Sequence, residues 1–343
     1  MSTCDVFIVG GGPAGLATAI ALRRRGLSVT VADGAVPPID KPCGEGLMPD
    51  GLSALRNIGI DLCETDGHSF RGLRFIDGDI SFQAAFPERS ALGIRRTVLH
   101  ARLVDAAAAA GVRMLWDTPI AGLADVPAAR WIVGADGFHS RVRRWAGLAA
   151  SLPAQRYGFR IHYSIPPWTN HMEVYWGVRR QIYVTPIRSG EVCVALVSRN
   201  PHLRLEEALA EFPRLSARLA GRSHASPERG AVTANYRLPR VWRGNVALVG
   251  DASGAVDAIT GEGLCLAFQQ ALALADALVA GDLARYQAAH RRLARRPTRM
   301  SNLLLAMGRY RWLRAPAFRT LAAAPGIFRS MLRFHVCAAG AAR

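Results

Sequence analysis

Val6-Phe7-Ile8-Val9-Gly10-Gly11-Gly12-Pro13-Ala14-Gly15 is the stretch from which the rest of the chain is read. Its apolar run is long enough for a buried strand and too short for a helix. Leu16 to Arg25 then reads as a helix of small and apolar residues, stopped by Gly26. Ser28-Val29-Thr30-Val31-Ala32 reads as a second strand ending at Asp33. The unit is βαβ with G-x-G-x-x-G at its turn. Gly10 permits the tight turn, Gly12 lets backbone approach a pyrophosphate, and Gly15 lets helix and strand pack closely. The helix N-terminus presents partial positive charge to phosphates. Asp33 stands where a carboxylate accepts hydrogen bonds from a ribose.

At 343 residues the chain is long enough for two domains sharing an interface, and with 50% hydrophobic residues it has material for a large core. No apolar run of membrane-spanning length lacks a charge, and strand-like sequence begins at once, so neither a transmembrane helix nor a signal peptide is expected. The six cysteines form no CxxC pair. Neither a metal site nor a disulfide framework is expected, and a reducing, cytoplasmic setting fits. The net charge of +17 is concentrated at the end. From Leu283 onward there are thirteen arginines and no carboxylate. Lys41 is the only lysine.

Pro49 opens a short helix through Leu55, and Leu73 to Ala84 reads as a hairpin turning at Asp77-Gly78. Thr97 to Ala110 is helical, and Val112–Trp116 and Trp131–Val133 are strands. From Tyr157 to Val197 short β-rich runs alternate with turns, which predicts an antiparallel sheet and a second domain. Asn245 to Val249 returns to nucleotide-domain texture, and Gly263 to Ala280 is an almost wholly apolar, buried helix. The remainder is helical, with breaks expected at Pro297, Pro316 and Pro325. This gives an α/β chain with a discontinuous nucleotide domain (1–68, 94–150, 235–282). A second domain takes 69–93 and 151–234, and a basic helical segment takes 283–343.

Three stretches together carry a family resemblance: Gly10 to Gly15; Gly134-Ala135-Asp136-Gly137 with Ser140 and Arg143; and Gly250-Asp251-Ala252 followed by Thr260-Gly261-Glu262-Gly263-Leu264. In this order and spacing the chain resembles the FAD-dependent monooxygenase and geranylgeranyl reductase superfamily, which includes flavin halogenases. The resemblance implies a p-hydroxybenzoate hydroxylase-like fold: a Rossmann-like FAD domain, an antiparallel substrate domain and a helical tail. It implies that Asp251 takes a ribityl or pyrophosphate-side hydroxyl, that Asp136-Gly137 turns the chain near the cofactor, and that Arg96 reaches toward it. Residues 261 to 264 open the buried helix beside the flavin, where its dipole stabilises charge on the reduced ring. NAD(P)H is then a transient reductant without a domain of its own.

The branch is less sharply marked. Gly254 stands where many members have histidine, and Ala258 where many have proline. Cys43-Gly44-Glu45-Gly46 resembles the reductases' cysteine-glycine loop near the ring. Gln181 to Pro186 keeps only part of their Tyr-x-Trp-x-Phe-Pro motif. Glu45 to Pro49 resembles a halogenase run, but Lys41 is misplaced for the lysine those enzymes need. Cys43 reads either as a proton donor or redox thiol, or as a small residue in a tight loop. His162, Tyr163, Trp176 and Tyr183 read either as pocket residues that bind a phenol or carbonyl, or as ordinary sheet packing. The balance favours a monooxygenase acting through a flavin hydroperoxide on a hydrophobic, aromatic or polyketide-like molecule. An ene-reductase saturating an isoprenoid is the alternative, and a lipid-carrying binding protein of the same fold is a third.

In the tail, Met300, Leu303, Leu304, Met307 and Tyr310 share one helical face, with Arg309, Arg311 and Arg314 elsewhere. Ile327, Phe328, Met331, Leu332 and Phe334 mix with Arg329 and Arg333 in the same manner. Such basic amphipathic helices suit an anionic membrane surface through 297–336, or cap the FAD domain with their arginines reaching water. No nucleic-acid recognition motif accompanies the charge, and nucleic acid is not expected as a partner.

Overall fold

The computed structural model describes residues 4–87, 89–149 and 155–336. Strand Cys4–Val9 is followed by helix Pro13–Arg23 and strand Val29–Ala32, which pairs parallel to the first with Val6 opposite Val29. Pro13 at the first helical position needs no hydrogen-bond acceptor, so the helix starts at the glycine turn itself. The sheet built on this pair has six strands. Its order is Trp242–Arg243, Val246–Leu248, Ala129–Gly134, Cys4–Val9, Val29–Ala32, Arg113–Leu115, and only the first edge strand is antiparallel. The carboxyl ends of Cys4–Val9, Ala129–Gly134 and Val246–Leu248 therefore lie side by side, where open parallel sheets bind ligands.

The second sheet has seven strands, in the order Arg229–Thr233, Arg156–Tyr163, Glu191–Ser198, Arg180–Arg188, His171–Trp176, Gly72–Asp77, Ile80–Ala85. It is antiparallel except for His171–Trp176 beside Gly72–Asp77, which run parallel because the hairpin reaches the sheet from a distant part of the chain. That hairpin turns at Gly78-Asp79, one residue later than the sequence suggests, with Asp77 still paired to Ile80. Helices Leu205–Leu209 and Pro213–Leu219 accompany one face over a small separate core. The other face carries Arg160, His162, Tyr183, Trp176 and Cys193 and looks toward the first sheet.

Helix Gly263–Ala280 is the one helix among the described residues long and apolar enough to cross a membrane. Here it is a core element, with Cys265, Phe268, Ala271, Leu274 and Leu278 buried.

The C-terminal helices correct two expectations. Pro297 does not end a helix: Leu283–Arg309 runs through it, and Arg311–Ala323 runs through Pro316. Only Pro325 opens a new helix, Pro325–Val336. An interior proline costs about 3 kcal/mol, a penalty offset here by burying Tyr286, Leu304, Met307 and Phe318. Helix Leu283–Arg309 packs on the first sheet's domain, where the Tyr286 hydroxyl donates to the Leu248 carbonyl at 2.7 Å, and the two later helices pack elsewhere. Phe318 and Phe328 pack on Phe75 and Phe82 of the hairpin, under the second sheet. Arg314 does not reach water. It is 3% exposed and holds Asp77 with two contacts, at 2.7 and 3.1 Å.

Candidate functional site

The three glycine-rich turns converge. A Cβ on Gly10, whose φ is +112°, would lie 2.5 Å from the Ala135 carbonyl oxygen. One on Gly15 would lie 1.9 Å from the Gly10 oxygen, and one on Gly250 would lie 2.7 Å from Ala14 Cβ. Glycine lets backbone meet backbone at Gly10 and Gly15, and lets the Gly250 turn close on the Ala14 methyl. Gly12 differs: its added Cβ would meet nothing within 4 Å. It borders open space at the helix N-terminus, where a pyrophosphate approaches.

Around this space stand the acids read from the sequence. Asp33 accepts from the Gly11 amide at 2.6 Å and the Ala35 amide at 2.8 Å, so it braces the turn it was expected to serve. One oxygen of Asp136 caps helix Arg141–Trp145, taking the amides of Arg141 at 2.6 Å and Val142 at 3.1 Å. Its other oxygen is buried without a partner. Arg143 is buried and bonds Tyr236 Oη and the carbonyls of Phe138 and Ala252, tying the Asp136 turn to the Asp251 turn. Asp251 projects its carboxylate to Lys41 Nζ at 3.2 Å. Lys41 also lies near Gly137, so the lone lysine stands at this groove. Arg96 is half-buried, and its Nε is buried without a partner. Gly261, with φ +67°, and Glu262 lead into Gly263 and Leu264 at the start of the apolar helix. Buried polar atoms are nearly always satisfied. Among the described residues eleven buried side-chain polar atoms lack a hydrogen-bond partner, and two of them, on Asp136 and Arg96, stand at this groove with the open cradle at Gly12, which fits a long polar cofactor.

The second sheet supplies the other wall. An apolar cleft lies between its inner face and the C-terminal helices. Met48, Met172, Tyr183, Gly261, Met307 and Phe318 are among its walls, so Gly261 belongs both to the cofactor groove and to the cleft. The Tyr183 hydroxyl donates to the Ile259 carbonyl at 3.1 Å, and the Thr260 hydroxyl donates to the Asp257 carbonyl at 3.3 Å. Burial pushes the Tyr183 hydroxyl's pKa well up, so it stays neutral.

Of the five donor and pocket candidates, Cys43, His162, Tyr163, Trp176 and Tyr183, only Tyr183 lines this cleft. Trp176 packs against Phe75, Phe318 and Arg314 instead. Tyr163 points to the opposite face of its strand, against His224, because successive side chains alternate. His162 is buried in a polar cluster, its Nε2 2.6 Å from Glu45 Oε2 and its Nδ1 2.7 Å from Ser226 Oγ. Arg160 and Asp40 extend that cluster. Cys43 is half-buried, and its sulfur accepts from the Glu45 amide at 3.3 Å. Desolvation raises its pKa, so it is a neutral thiol. Glu45 was read only as part of a motif. Its φ of +57° and its bond to the Arg96 amide, at 2.9 Å, make it the link between the cysteine loop and the cofactor groove.

The FAD binding domain family model matches residues 3–126 and 124–294. The chain belongs to this FAD binding domain family. It is an FAD-dependent oxidoreductase. Menaquinone reductase of Mycobacterium tuberculosis is 29% identical over 325 residues, covering 82% of this chain and 78% of that protein. The putative FAD-dependent monooxygenase YetM of Bacillus subtilis is 26% identical over 340 residues, covering 87% and 91%. In fold the chain is similar to p-nitrophenol 4-monooxygenase PnpA of Pseudomonas putida, with TM-score 0.80 at 18% identity, covering 97% of each chain. For this family member the groove residues Gly12, Arg96, Asp136 and Asp251 would hold FAD, which when bound supplies two-electron redox chemistry.

Proposed function

We propose that this flavoprotein is an NAD(P)H-driven monooxygenase that hydroxylates a hydrophobic small molecule in the cleft beside Gly261. One observation carries the choice. Among the described residues the cleft offers no acid to its occupant: its two hydroxyls, on Tyr183 and Thr260, both donate to backbone carbonyls. Saturating a carbon–carbon bond requires a proton donor against the second carbon. Oxygen insertion asks the walls mainly to exclude water and hold the substrate, and methionine and leucine walls do both. The likeness to YetM supports the same reading.

Ene-reduction is the second reading. The neutral Cys43 thiol favours it, as does the likeness to menaquinone reductase. Cys43 does not line the cleft, so as a donor it would have to act from behind the Gly44–Met48 loop. Oxygen uptake and product mass separate the two. With a bound hydrophobic substrate, hydroxylation consumes about one O2 per NAD(P)H and adds one oxygen atom. A product heavier by two hydrogens, formed without oxygen, would establish the reductase.

The C-terminal helices also present a surface for peripheral contact with an anionic membrane. Trp312 is 74% exposed and Ile327 48%, with the exposed Arg311 beside Trp312. An aromatic and basic surface of this kind suits a lipid interface, from which a greasy substrate would enter.

A further inference from the structure

A second cavity adjoins the apolar cleft, and Ile259 lines both. Its character is opposite. Arg156, Arg179, Arg199 and Arg309 all border it. Arg156 is 4% exposed and is neutralised by Asp257 at 2.6 Å. Among the described residues no ion pair engages Arg179, Arg199 or Arg309. Three arginines thus border one space with no carboxylate among its described lining residues, an arrangement that an anion stabilises, and Arg309 also lies over the Tyr310 ring at 5.2 Å. Arg179 adds an independent sign. Its φ is +57°, left-handed backbone that a long side chain rarely adopts, at the turn between His171–Trp176 and Arg180–Arg188. Such local strain is found where a side chain has to be aimed. Arg199 follows the end of strand Glu191–Ser198, and Arg309 ends helix Leu283–Arg309. Three separate elements therefore bring the charges together. The same helix serves both spaces, with Leu304 and Met307 facing the cleft and Leu305 and Gly308 facing the arginines.

We propose that the substrate is amphiphilic. Its apolar part fills the cleft, and a phosphate- or carboxylate-type group docks among Arg179, Arg199 and Arg309. The proposal rests on the hydrophobic-substrate reading and adds a headgroup to it. The phosphates of a nicotinamide cofactor share that chemistry and are the competing source.

The test titrates the FAD-loaded enzyme with octyl phosphate and with 1-octanol, following the flavin absorbance change, and measures flavin reduction by NADPH separately. The phosphate is expected to bind at least about tenfold more tightly than the alcohol. In the Arg179→Gln/Arg199→Gln variant that ratio is expected to fall within about threefold. Both residues are exposed, so folding is not at stake. Equal affinities in the wild-type enzyme, or no binding of either ligand, would overturn the proposal. A variant that weakens NADPH and leaves the octyl phosphate ratio intact would overturn it too, and would assign the arginines to the reductant. If octyl phosphate binds and responds to the variant while octanol does not bind at all, the anion site stands and the apolar-cleft reading fails.

Discussion

His290 shows how burial sets the chemistry of a single side chain. It lies in helix Leu283–Arg309, 7% exposed, with Nε2 2.9 Å from Ser253 Oγ, and Ser253 belongs to the same turn as Asp251. Burial first, then the charges of Arg237 and Arg291, lower its pKa to about 4. The folded protein therefore binds fewer protons there than the unfolded chain, whose histidine titrates near 6.5. Stability present above pH 6.5 should be lost as the pH falls toward 4, by up to about 3 kcal/mol from this group. Denaturant unfolding at pH 7 and pH 5 checks this, with His290→Gln expected to flatten the difference. An unchanged pH dependence in the variant would show that His290 is not the responsible group. Nothing in the sequence marks His290, because the neighbours that desolvate it come from distant turns. Asp33, Asp136 and Asp251 were legible because each ends a strand in a motif of fixed spacing. The roles of Cys43 and His162 were not, since which way a side chain leaves a loop or a bent strand depends on what packs behind it.

At the scale of elements, the βαβ unit and the helix Gly263–Ala280 could be read almost to the residue, since periodicity and glycine punctuation are local properties. The C-terminal helices could not. Their amphipathic pattern says that one face is buried and does not say against what. The structure turns Met300, Leu304, Met307, Phe328 and Leu332 into the cleft, which leaves Tyr310 and Trp312 outward. If these outward residues meet lipid, the protein should sediment with phosphatidylglycerol vesicles and much less with phosphatidylcholine vesicles, because the charge attracts it and the aromatic ring holds it. Trp312→Ala is expected to weaken that binding about tenfold, the apolar area of one side chain, without moving the unfolding midpoint. Failure of the wild-type protein to bind the anionic vesicles would remove the membrane reading.

For the whole molecule, the two sheets divide the work. The parallel sheet brings Gly12, Asp136 and Asp251 to one edge, and the second sheet with the C-terminal helices encloses an apolar space that opens on Gly261. The contact between groove and cleft is what makes an oxidoreductase of a cofactor-binding fold, and it arises only when residues far apart in sequence are folded together. The flavin content of the purified protein tests the account most directly. The absorption spectrum should show about one FAD per chain. Gly12→Ala should lose most of that FAD while apoprotein stability is kept, because its methyl group enters the open cradle and touches no protein atom. A wild-type chain that stays colourless after incubation with excess FAD, or a Gly12→Ala variant that retains it fully, would contradict the assignment.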